Sequence, residues 1–100
     1  MIIVYVPCKN KEEAQNIAKN LLGKKLIACA NLFDSQSLYF WKNKLENTPE
    51  TILIMKTQEK HYNEIKKQIK QLHSYELPAI IKFNVEPNKE FEEWIKKETK

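Results

Sequence analysis

Two cysteines and two histidines carry the soft metal-ligating and nucleophilic chemistry available to this 100-residue chain: Cys8, Cys29, His61 and His73. A Cys/His nucleophile pair would have to be drawn from these four, and none sits in a local signature for one. GxSxG, GxGxxG, HExxH and P-loop patterns are all missing. With Gly23 as the lone glycine, a loop that cradles phosphate is excluded as well. The chain therefore reads as non-enzymatic. His61 falls in the first turn of an expected helix and reads as solvated. Cys29, inside Leu26-Ile27-Ala28-Cys29-Ala30-Asn31-Leu32, reads most simply as a small buried hydrophobe, with a metal-binding thiol as the alternative.

Cys8 and His73 depend on the elements that would position them. Ile2-Ile3-Val4-Tyr5-Val6 is a β-branched run ended by Pro7, suited to a strand buried on both faces. Asn10 with Glu13 three residues on reads as a capping box, and Ala14, Ile17, Ala18, Leu21 and Leu22 form one helical stripe stopping at Gly23. Leu26 to Phe33 and Ser37 to Trp41 read as one long second strand, with a bend or bulge expected at Asp34-Ser35-Gln36. Glu46-Asn47-Thr48-Pro49 supplies turn chemistry before a third strand, Thr51 to Lys56. Thr57 is expected to cap a second helix with Tyr62, Ile65, Ile69 and Leu72 on its apolar side. After the connector His73-Ser74-Tyr75-Glu76-Leu77-Pro78, Ala79 to Val85 reads as a fourth strand. Pro87-Asn88 opens a short terminal helix with Phe91, Trp94 and Ile95 on one face.

The order β-α-β-β-α-β is the split βαβ, or ferredoxin-like, arrangement: an α+β sandwich with a long hairpin between the second and third strands. Right-handed crossovers set the strand order fourth-first-third-second with both helices on one face. The end of the first strand then lies beside the start of the fourth, which brings Cys8 towards His73, Tyr75 and Glu76, with Tyr39 and Trp41 pointing the same way. Thiolate, imidazole and carboxylate together suit copper, zinc or a similar divalent cation. The same residues also suit an incidental meeting at one end of the sheet. The first and third strands are apolar at odd and even positions alike, yet two helices cover one side only. Covering a few hundred Å² of the other at about 25 cal/mol/Å² is worth several kcal/mol, so a homo-oligomer is expected.

Composition excludes other classes. One hundred residues make one domain, and roughly 65% of the unfolded surface can be buried, enough for a core without disulfides. Hydrophobic residues at 42% and charged residues at 30% exclude a disordered chain. No apolar run approaches the ~20 residues that span a bilayer, so no membrane partner is expected. No signal peptide is expected before the first strand, so the chain reads as cytoplasmic with its cysteines as free thiols. The net charge is +4, every basic residue is Lys, and the acids are interleaved with them. Lacking the Arg forks that read guanine and phosphate, the chain is not expected to bind nucleic acid. βαββαβ is also the order of an RNA-recognition motif, but Ile52-Leu53-Ile54-Met55-Lys56 offers none of the strand aromatics such a motif stacks on bases.

The sequence resembles the CutA divalent-cation-tolerance family from its first strand to Trp94. Leu26-Ile27-Ala28-Cys29-Ala30-Asn31 is similar to that family's leucine-alanine-alanine-cysteine-x-asparagine. Ser37-Leu38-Tyr39-Phe40-Trp41 with Lys44, Lys56-Thr57, His73-Ser74-Tyr75-Glu76-Leu77-Pro78 and the Phe91 to Ile95 ending carry the rest. The resemblance implies a single domain over 1–100, a PII-like homotrimer, and a role in divalent-cation tolerance with copper bound through cysteine and histidine. On that footing His73 and Cys8 would be metal ligands and Glu76 their acidic neighbour, with Tyr39, Trp41 and Tyr75 as cleft walls. Lys56 would join a cleft only across a subunit boundary. The PII-like resemblance also implies an alternative, a signalling module that binds a small effector between subunits. Asn43 stands where the family usually has glycine, Ser74 where it has proline, and Ala79 where a glutamate commonly follows Pro78.

Overall fold

The computed structural model describes all residues, Met1–Lys100. β1 (Ile2–Cys8), α1 (Lys11–Gly23), β2 (Cys29–Trp41), β3 (Lys44–Thr57), a single 3-10 turn (Glu59–His61), α2 (Tyr62–Leu72), β4 (Ile81–Asn84) and α3 (Lys89–Glu98) follow in order. The four strands form one antiparallel sheet in the order β2-β3-β1-β4, the ferredoxin-like topology expected from the sequence.

Strand alternation decides what each face does. Ile2, Val4, Val6 and Cys8 point to the helix side and are fully buried, whereas the odd residues of β1 are only half-buried. Val4 pairs with Met55 and Val6 with Leu53, so these two strands supply one apolar layer. Ala14, Ile17, Ala18 and Leu21 of α1 and Ile65 and Ile69 of α2 close that layer from above. α1 and α2 leave the opposite face uncovered. Phe33 and, on β4, Ile81 and Phe83 remain about half exposed there.

Helix ends are set by local chemistry. Asn10 Oδ1 accepts from the Glu13 backbone N–H at 2.9 Å, as the capping pattern requires. The C-terminus falls at Gly23, as expected. Gly23 is the last helical residue, and the left-handed position falls two residues later on Lys25, at φ 58°. Leu26 N–H donates to the Leu21 carbonyl and Lys25 N–H to that of Leu22, the paired bonds of a Schellman cap.

The β2/β3 hairpin corrects two expectations. No bulge interrupts it at Asp34-Ser35-Gln36, since one register runs unbroken from Cys29↔Lys56 to Trp41↔Lys44. Its turn is the pair Lys42-Asn43, both at positive φ, as the tight turn of a two-residue hairpin demands. Glu46-Asn47-Thr48-Pro49 is therefore strand, and Pro49 is tolerated because β1 pairs only with Thr51–Thr57. Thr57 is not a helix cap either: its hydroxyl donates to the Leu26 carbonyl at 2.6 Å, pinning the start of β2 to the end of β3. β2 begins at Cys29 rather than Leu26, and β4 is shorter than expected because only Ile81–Asn84 finds partners on β1.

α3 closes the far end of the molecule. Ile95 is fully buried, while Trp94 stays exposed with its ring stacked on Phe91 at 5.7 Å. His61, expected to be solvated, instead meets the Thr99 carbonyl at 2.6 Å, and Gln58 Nε2 donates to the same oxygen at 2.8 Å. This end is remote from Cys8 and carries the clamp that holds the C-terminal helix.

Candidate functional site

Cys8 is the last residue of β1, and His73 follows the last turn of α2. Their meeting was expected from topology, and the structure brings them together with a third residue, Glu13 of α1. Ligand-type atoms of Cys8, Glu13 and His73 all lie within 4.8 Å of one another. Glu13 was read from the sequence only as a helix-capping acid, and that role hid it. Glu76, the acid expected here, sits instead on the exposed connector and pairs with Lys42 at 3.6 Å.

The donor types match a borderline or soft cation, but each group is already engaged within the chain: the imidazole at both nitrogens, the thiol as a donor and the carboxylate at both oxygens. His73 Nε2 lies 2.8 Å from the Pro7 carbonyl, which can only accept, so this nitrogen carries the proton. Nδ1 then accepts the Tyr75 backbone N–H at 3.1 Å. The Cys8 thiol donates to the Val6 carbonyl, and burial, reinforced by the charges of Glu13 and Glu50, pushes it up to about 12. Glu13 uses both oxygens: Oε1 accepts from Lys9 N–H at 3.0 Å and Oε2 from Ser74 N–H at 2.9 Å. Burial alone would raise its carboxyl, yet the hydrogen bonds from Ser74 and Lys9 outweigh it and hold the group below its ordinary range. The three side chains thus fit a latch joining β1, α1 and the α2–β4 connector. They do not fit a cage kept ready for a resident metal.

An open cavity of about 420 Å³ lies on the outer side of that latch, within the range of small-ligand sites. Pro7 and Ser74, neighbours of the latch residues, form part of its wall, with Tyr39, Trp41, Glu50, Tyr75, Glu76, Leu77 and Ala79. Tyr39, Trp41, Tyr75 and Glu76 were all expected near one another. Glu50 was missed, and register explains why. Ser35 pairs with Glu50 and Tyr39 with Glu46, so alternation puts Glu50 on the face of Tyr39 and Trp41. A turn assigned to residues 46–49 removes that register, whereas the polar pair Lys42-Asn43 would have revealed it.

Glu50 is 7% exposed. The Ser37 hydroxyl donates to its Oε1 and the Tyr75 hydroxyl to its Oε2. Burial and the bond to Glu50 together push the Tyr75 phenol well above its usual range, so the ring stays a donor against the carboxylate. His73 and Tyr75 rings approach at 4.7 Å, which couples the latch to this wall of the cavity.

Two expected residues lie elsewhere. Lys56 Nζ donates to Asn31 Oδ1 at 2.6 Å and lies 6.0 Å from the Phe91 ring, at the opposite end of β3 from the cavity. Cys29, paired with Lys56, is half-buried at that same end, and both cysteines are free.

Comparison with known proteins places these observations in a family context. The family profile described as CutA1 divalent ion tolerance protein matches residues 2–98. The divalent-cation tolerance protein CutA of Pyrococcus horikoshii is 43% identical over 101 residues, covering 100% of this chain and 99% of its own. The crystal structure of CutA1 from that organism superposes with a TM-score of 0.96 at 42% identity, covering 100% of this chain and 99% of its own. A protein of Nostoc sp. PCC 7120 described as PII-like protein CutA gives a TM-score of 0.92 at 30% identity, covering 100% and 98%.

Proposed function

The chain belongs to the CutA1 divalent ion tolerance family, and from that premise we propose that it serves divalent-cation tolerance as a non-enzymatic homotrimer with a PII-like mode of ligand binding. The ligand site in this reading is the open cavity between the β2/β3 hairpin and the His73-to-Ala79 connector. One observation carries it: a cavity of about 420 Å³ whose wall combines Tyr39, Trp41 and Tyr75 with the carboxylates of Glu50 and Glu76. Aromatic faces with a few fixed polar groups are what a recognition site needs.

Native mass spectrometry of untagged protein, purified without chelator, tests assembly and ligand together. A mass of three chains with an added ligand mass is the expected result, and a bare single chain would overturn the reading. A tryptophan titration locates the ligand: in a Trp94→Phe background the remaining fluorescence comes from Trp41, and it should respond saturably.

A second reading, direct capture of copper or zinc by Cys8, Glu13 and His73, is favoured by their convergence within 4.8 Å. Capture would have to release the Cys8 proton and displace the Tyr75 N–H from His73. Binding by this route would strengthen as pH rises and be lost in His73→Ala. Copper binding that is independent of pH between 6 and 9, or retained in that variant, would remove it.

A further inference from the structure

Resting on the reading of the open cavity as the ligand site, we propose that its ligand is a small organic cation, an aliphatic amine. The ammonium head would lie between Glu50 and Glu76, and the carbon stem against Trp41, Tyr39 and Leu77.

Charge is the first argument. The chain carries a net +4, yet the cavity wall contains two carboxylates and no lysine. Buried carboxylates are ordinarily paired with a cation, because an isolated charge loses its hydration without compensation. Glu50 is nine-tenths buried and receives only two neutral hydroxyls, from Ser37 and Tyr75, so no positive group of the chain answers it. Two hydroxyl donors leave lone pairs of the carboxylate unused.

Lys42 supplies the second argument. Its ammonium lies 5.8 Å from the centre of the Trp41 ring and 3.6 Å from Glu76. The chain's own alkylammonium thus rests where aromatic face and carboxylate attract a cation. Both partners of the pair are largely exposed, and such a pair is weak enough for a competing cation to displace it. Lys42 marks the preference of the site without filling the cavity, since it is not among the lining residues.

Size and wall chemistry narrow the class. A cavity of about 420 Å³ holds a ligand of a few carbons with its head group. Pro7, Leu77 and Ala79 give it apolar wall but no donor aimed at an anion. A carboxylate or phosphate ligand would face Glu50 and Glu76 with Lys42 alone to compensate it, an ammonium already paired with Glu76.

The test titrates 1,4-diaminobutane, n-butylamine and butanoate into the Trp94→Phe protein with a chelator present, reading Trp41 fluorescence and heat. Both amines should bind saturably and butanoate should not. Glu76→Gln, at an exposed position, should weaken the amines about tenfold, and Glu50→Gln should weaken them at least as much. Lys42→Ala should tighten them several-fold, because it removes the internal competitor. Amines that fail to bind the wild type and the Lys42→Ala protein overturn the proposal, as does butanoate binding equal to that of n-butylamine. The broader site reading fails separately: where the amines do not bind, a saturable Trp41 response to an anionic metabolite, or to copper with the chelator left out, retains the cavity and discards the amine. A Trp41 signal that answers no ligand discards both.

Discussion

At Cys8, burial decides reactivity. A thiol pushed up to about 12 is almost wholly protonated near neutrality, and the thiolate is the nucleophile. Iodoacetamide at pH 8 should leave Cys8 unmodified in the folded protein and alkylate it once the chain is unfolded, as peptide mass mapping will show. Rapid labelling of Cys8 in the folded state would contradict the buried placement. Glu13 gives the complementary pH effect. Its carboxyl titrates below its ordinary 4.5, so the unfolded chain takes up that proton first on acidification. The stabilisation is present above that value and lost as pH falls through the lower, folded one. Glu13→Gln should therefore flatten the acid limb of stability, measured as the urea midpoint at pH 7 against pH 3.5. An unchanged pH dependence would remove Glu13 from the latch. Much of this site was legible in the sequence. Strand direction alone brought Cys8 to His73, and alternation brought Tyr39 to Trp41. Glu13 and Glu50 were hidden because each contact crosses between elements: Glu13 reaches Ser74, 61 residues away, and Glu50 depends on the hairpin register.

Element boundaries were less legible than the elements at β2, β4 and the hairpin turn, and even α1, whose end at Gly23 was legible, is capped by another residue. A glycine at the end of an apolar stripe signals a left-handed cap, but here the chain places Lys25 at that position and keeps Gly23 helical. Two substitutions exploit the mismatch. A Cβ added at Gly23 would meet nothing within 4 Å, so Gly23→Ala should stabilise by about 0.5–1 kcal/mol through helix propensity. Lys25→Gly relieves a left-handed lysine and should stabilise by about 1 kcal/mol. Urea unfolding at fixed protein concentration checks both, and a loss of stability in either variant would contradict the cap geometry. The hairpin turn repeats the lesson. Asn-Gly is the familiar signal for two successive positive φ values, and Lys42-Asn43 lacks the glycine, so composition pointed to the richer turn residues 46–49. Ladder pairing across thirteen registered positions overrode that local preference.

For the molecule as a whole, the long hairpin is the feature a single chain leaves unsupported. β3 residues 44–50 pair only with β2 residues 35–41, so seven registered pairs project beyond the sheet as a two-stranded ribbon. Such a ribbon is marginal in water unless something packs on it. Leu38, Phe40 and Leu45 share one face of it by register and are 67%, 74% and 61% exposed. Opposite them lie Tyr39 and Trp41 of the cavity, so covering one face would also steady the other. In the proposed homotrimer, neighbouring copies cover the apolar ribbon face, and a few hundred Å² buried at about 25 cal/mol/Å² gives several kcal/mol per chain. Phe40→Lys combined with Leu45→Lys would put two charges into that contact while leaving each protomer's core untouched. Light scattering at micromolar concentration should give the wild type a mass of three chains of 11.9 kDa, and the double variant a mass falling towards one. Its far-ultraviolet circular dichroism should keep the wild-type shape. A double variant that stays trimeric would place these side chains outside the interface, and a wild type of one chain's mass would remove the assembly itself. Trp41 fluorescence in the dissociated variant then reports what the assembly does for the site: a ligand response that weakens with dissociation ties the cavity to the ribbon, because Tyr39 and Trp41 are held only as firmly as the strands that carry them.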